Sequence, residues 1–117
     1  MVTRNRVQSD IFPNTFCKVI YEAKMSAWWK KTHNKDVPIR YKCQFSWYCD
    51  GQSDNIPIYD REVWDVAIYL AKGIYFNRYK DNTFGATYYH ASYVSPKWAQ
   101  KFRHTVTIGD HIFYSYE

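Results

Sequence analysis

No continuous apolar run in this chain is long enough to span a bilayer, and its start lacks the charged segment and apolar stretch of a secretory signal. Neither a membrane anchor nor a leader is expected. A protein of this sequence acting outside the cytoplasm would need another agent to release it. Cysteine is scarce. Cys17, Cys43 and Cys49 are the only three, so at most one internal disulfide can form and one thiol is left over. One disulfide would suit an envelope protein and three thiols a cytosolic one, which leaves the compartment open. There is no CxxC pair, and His33, His90, His104 and His111 lack the tight spacing of zinc sites, so no metal and no cofactor are expected. Ser46 has no glycine-flanked strand-to-helix turn, which makes it a hydrogen-bonding hydroxyl rather than a nucleophile. A Cys43 or Cys49 nucleophile served by His90 or His111 has no local support. No internal repeat, low-complexity segment or RNP-like motif occurs.

Rings, by contrast, are plentiful. Aromatic residues make up 21% of the 117, and twelve tyrosines against seven phenylalanines give many rings a polar end. This favours a wet, ring-lined surface over a greasy interior. The length suits one domain, residues 1–117, with a single core. A formal charge of +5 biases the protein towards anionic partners, but the basic residues lie in small groups such as Lys30-Lys31 rather than along a phosphate track. The chain is organised around residues 41–51, where rings alternate with amide, hydroxyl, thiol and carboxylate groups. Stacking faces set among short polar side chains suit a sugar, a base or a peptide about equally well.

In chain order, Met1 to Val7 reads as the last turns of a helix, with cationic side chains where a C-terminus favours them. Phe12-Pro13-Asn14-Thr15 supplies a turn and an N-cap, after which Phe16, Val19, Ile20 and Ala23 recur at helical spacing with Glu22 on the polar side. Residues 25–38 lose the period and read as a turn-rich or hairpin segment in which Trp28 and Trp29 pack. Residues 37–47 read as extended, closed by Asp50-Gly51. Asp60 is a cap candidate for the clearest helix. Val63, Ala67, Leu70 and Ile74 form one stripe and Trp64, Ile68, Ala71 and Tyr75 another, which predicts deep burial, with Gly73 weakening or ending the helix. Residues 85–90 read as a strand entering beneath a groove, Pro96 as the first position of a helix, and His104 to Tyr116 as a hairpin turning at Gly109-Asp110.

Sugar chemistry needs a carboxyl group held protonated in an apolar setting. None of the three glutamates and eight aspartates stands out, and Glu62 is simply stabilised in a first helical turn.

Several segments, in order, resemble the SleB-type cell-wall hydrolase domain of spore-cortex lytic enzymes and phage lysis proteins. Asn5-Arg6-Val7, Phe12-Pro13-Asn14-Thr15 and Val19-Ile20 are similar to its "NRV…FPNT…VI" segment, and Gln44-Phe45-Ser46 with Asp50-Gly51 to its "QFS…DG" segment. Gly85-Ala86-Thr87-Tyr88-Tyr89-His90 matches its "GATYY" strand. Pro96 with Trp98 is the next landmark, and Gly109-Asp110-His111-Ile112-Phe113 resembles the closing "G.H.F". Trp28-Trp29 and the Cys43/Cys49 pair look most like phage-encoded members.

The resemblance implies a single lysozyme-like α+β domain with a small antiparallel sheet and a few helices. It also implies cleavage of peptidoglycan glycan strands, lysozyme-like or as a lytic transglycosylase, in which a glutamic acid protonates the glycosidic oxygen. That glutamate lies in a "GEARGE"-like segment ahead of "NRV", so it precedes Met1, and Glu22 does not replace it. Two expectations follow: Met1 is an internal start, or the chain is a non-catalytic member that binds peptidoglycan. In either case, apolar surface that the missing helix would cover is expected to be exposed. Gln44, Ser46, Tyr88, Tyr89 and His90 are the expected substrate contacts, with Phe45 and Trp47 partly structural and His111 packing. The expected partner is peptidoglycan, with neither nucleic acid nor membrane. A basic, aromatic single-stranded nucleic-acid-binding module is the remaining alternative.

Overall fold

A computed structural model describes residues 1–116. Short helices alternate with two small antiparallel sheets, an α+β arrangement. Helices α1 (Val2–Val7) and α2 (Phe16–Ile20) precede strand β1 (Ala23–Met25), helix α3 (Ala27–His33) and strand β2 (Pro38–Cys43). Single 3-10 turns at Ser46–Tyr48 and Ile58–Asp60 lead into α4 (Arg61–Tyr75). Strand β3 (Tyr88–Ala91), a 3-10 turn at Lys97–Lys101, β4 (Arg103–Ile108) and β5 (His111–Ser115) complete the chain.

Local chemistry explains most boundaries. The Thr15 hydroxyl accepts the Lys18 N–H at 3.2 Å and starts α2. The helix stops at Ile20, so Ala23 belongs to β1 and Glu22 to the link between them, not to a polar helix face. Pairing of Ala23 with Cys43 and of Met25 with Pro38 overrides the helical spacing there. Residues 25–38 are likewise more than a turn: the paired strands flank α3, which the Ser26 hydroxyl caps by accepting the Trp29 N–H at 3.3 Å. Asn34, left-handed at φ 52°, ends it.

The second sheet has the order β3-β5-β4, with Tyr88 opposite Tyr114 and His90 opposite Ile112. Its β4–β5 hairpin turns where expected, at Gly109, whose φ of +54° suits glycine. Pro96 caps a 3-10 turn instead of opening an α-helix.

The interior is small and unusually polar. Val2, Val19, Cys49 and Ala86 are its buried apolar residues among those described, beside buried Arg4, Arg6, Thr83, Thr87 and Ser115. Deep burial of α4 is not found: Val63 is 71% exposed and Tyr69 69%, and Gly73 is its buried residue. Two apolar stripes need a covering layer on each, and among the described residues the helix meets little: the Tyr75 ring meets Phe16 at 4.9 Å and Tyr79 lies against Gly73. Gly73 neither ends nor interrupts the helix. A Cβ there would lie 2.1 Å from Tyr79, so glycine lets that ring pack against the helix.

Candidate functional site

One wall of the site grows out of β2. The Gln44 N–H donates to the Glu22 carbonyl at 3.0 Å, and the Tyr41 N–H to the Cys49 carbonyl at 3.2 Å. A Cys43–Cys49 disulfide closes this loop, and the 3-10 turn inside it presents Ser46 and Trp47. The opposite wall is β3 with the turn after it. Tyr88 stacks on Phe102 with centroids 4.3 Å apart and meets Trp98 at 5.5 Å. Between the walls lies a groove of about 610 Å³, lined by Gln44, Phe45, Ser46 and Trp47 on one side and Tyr88, Tyr89, Trp98 and Phe102 on the other.

Helix α1 positions both walls. Arg4 Nη1 donates to Asn77 Oδ1 at 3.0 Å and to the Tyr79 carbonyl at 2.9 Å. The Asn5 amide nitrogen donates to Asp81, to the Thr83 hydroxyl and to the Ala86 carbonyl at 2.9 to 3.3 Å. Arg6 Nε donates to the Thr87 carbonyl at 2.7 Å, and its Nη1 to Gln44 Oε1 at 3.3 Å, which ties the walls together across the groove. Arg4 and Arg6 are therefore buried clamps rather than solvated helix-end cations.

The electrostatics follow from this packing. Burial pushes the Arg6 guanidinium below its ordinary pKa, opposed by Tyr88 and Glu22. Its cation lies 4.8 Å from the Phe12 centroid, 5.0 Å from Tyr88 and 5.6 Å from Phe45. Burial also raises the Tyr88 phenol, opposed by Arg6. At Asp81, burial alone would raise the carboxyl, but hydrogen bonds from the Thr83 hydroxyl and N–H, the Gly85 N–H and Asn5 hold it below the usual range.

Gln44, Ser46, Tyr88 and Tyr89 thus meet in one groove. His90 stands behind it, packed edge-on to Trp98 at 5.6 Å. Its Nδ1 lies 2.7 Å from the Ala91 carbonyl and so carries the proton there, leaving Nε2 to accept from the Tyr114 hydroxyl at 2.9 Å. With Cys43 and Cys49 bonded to each other, neither supplies a thiolate, and Cys17 is an exposed free thiol. Arg6, Trp98 and Phe102 were not expected as site residues. Only the "NRV" motif hinted at Arg6. Among the described residues no group of His, Cys, Asp and Glu is placed to hold a metal ion, and no helix is long and apolar enough to cross a membrane.

The family model of the Cell Wall Hydrolases matches residues 1–114. The chain belongs to this family. The match takes in α1 and both walls, so the groove is part of the Cell Wall Hydrolase domain itself. Membership supports a general role in peptidoglycan hydrolysis. Neither the curated proteins nor the solved structures provide a match.

Proposed function

We propose that this Cell Wall Hydrolase acts on the glycan strands of peptidoglycan, held in the groove between residues 43–47 and β3. The observation that carries this reading is the pairing of ring-bearing walls with exposed polar edges. Trp47, Tyr89 and Trp98 offer ring surface to sugars, with Tyr88 held between Phe102 and Arg6 at the groove wall, while the Gln44 amide nitrogen and the Ser46 hydroxyl remain available to hydroxyl and acetamido groups. Gln44, Ser46, Tyr88 and Tyr89 are the substrate contacts, with His90 supporting Trp98 from behind. The reaction is scission of the glycosidic bond, lysozyme-like or by internal transglycosylation, at the bacterial wall and in the service of phage lysis. The glutamic acid that protonates the leaving oxygen belongs, by family resemblance, to a segment ahead of Asn5-Arg6-Val7.

A second reading, a module that binds peptidoglycan without cutting it, is favoured by the absence of any carboxylate from the described residues lining the groove. Turnover of purified glycan strands by this chain, beside a version extended upstream, separates the two. Activity in either supports the hydrolase. Inactivity in both, with co-sedimentation retained, leaves the binding module.

A further inference from the structure

Arg6 is 5% exposed and lines the groove, yet no carboxylate lies within 4.0 Å of its guanidinium among the described residues, whose salt bridge is the exposed Lys30–Asp36 pair. Buried charges are ordinarily paired, because desolvation is costly unless a counter-charge replaces water. Only part of the guanidinium's hydrogen-bonding capacity is used: Nε serves Thr87 and Nη1 serves Gln44, while among the described residues Nη2 has no partner, and it is not sealed from solvent. Three rings surround the cation and keep water sparse around it. Glu22 supports the charge from a distance, and its own Oε2 is buried without a hydrogen bond among the described residues. The groove thus holds a fixed, desolvated cation with donors to spare at the base of a ring-lined trough.

We propose that Arg6 receives a carboxylate carried by the glycan, so that the groove selects acidic sugar units over neutral ones. The proposal rests on the glycan reading above. Peptidoglycan strands stripped of peptide carry such a group on the lactyl ether of each muramic acid. A carboxylate approaching Arg6 gains charge-assisted hydrogen bonds without having to order a flexible side chain, since Thr87 and Gln44 already hold the guanidinium. Glu22 is then a brake on anion binding, because its charge acts on the same cation.

The test titrates the full chain with peptide-free glycan strands and with the same strands methyl-esterified, following Trp fluorescence and calorimetry. Free-acid strands should bind at least about tenfold more tightly than the ester. Glu22→Gln should widen that ratio several-fold and leave the ester unchanged. Asp65→Asn, which adds the same charge on α4, should not change the ratio. Arg6→Lys keeps the charge but loses the fork, and should narrow the ratio. Equal affinity for acid and ester overturns the proposal while leaving the glycan reading intact. No binding of either strand overturns both, and an Asp65→Asn effect equal to that of Glu22→Gln reduces the preference to net charge and overturns it too.

Discussion

Helices α1 and α4 are opposites. The short one, Val2–Val7, carries Arg4, Asn5 and Arg6 and is among the most buried parts of the molecule, whereas the long one, Arg61–Tyr75, is rich in apolar side chains and lies largely in solvent. Burial here follows partners, not hydrophobicity. The Arg4, Asn5 and Arg6 side chains find carbonyls and the Asp81 carboxylate on the loop over residues 77–87, and these fixed partners offset their burial. The apolar stripes of α4 have too little chain opposite them to be covered. Between Met1, Phe16, Ile20, Ile68 and Tyr75 an apolar hollow of about 440 Å³ is left.

Breaking α1's side of this contrast should cost most. Asn5→Ala strands the Ala86 carbonyl and part of the Asp81 carboxylate, and a loss of about 3 kcal/mol is expected from urea unfolding. The loop wall comes next. Cys43→Ser opens a short ring and should cost about 2 kcal/mol by the same measurement. Glycan affinity should fall with it, since Gln44 to Trp47 lose their anchor, and unchanged affinity would show that the β2 hydrogen bonds suffice.

A smaller effect is expected at Asp81. Its folded carboxyl is held below the usual carboxylate range, so its stabilisation is present above that range and disappears as pH falls through it to the lowered value. Asp81→Asn should therefore flatten the acid limb of a Tm-against-pH curve. The least effect belongs to α4: Val66→Lys, at a position 58% exposed, should change stability by no more than about 0.5 kcal/mol. A loss several times larger, together with a concentration-dependent Tm, would show that this face is covered by another copy in solution.

The same contrast marks what could be read from sequence. Local signals place the hairpin at Gly109 and the α4 helix, whereas the expected extended run over residues 37–47 gives way to a 3-10 turn at Ser46–Tyr48 and the expected strand over 85–90 begins only at Tyr88. Periodicity finds a helix, but it cannot say what lies opposite, and so the burial of α4 was overestimated. Helix α3 escaped because its signals are its caps, Ser26 and Asn34, within a stretch with no apolar period. Arg6 escaped for a related reason. A cation near a helix end has a ready electrostatic explanation, and only the fold brings Thr87 and Gln44 to it from far along the chain.

That separation has a kinetic side. Arg4, Asn5 and Arg6 reach partners 73 to 81 residues away, apart from the Gln44 contact at 38. Such contacts form only after a long loop has closed, and they slow folding accordingly. During synthesis α1 emerges long before Thr87 and must wait for it before the Arg6 guanidinium can dock. The groove is thus late to form, and it is incomplete until the turn that carries Trp98 and Phe102 has been translated.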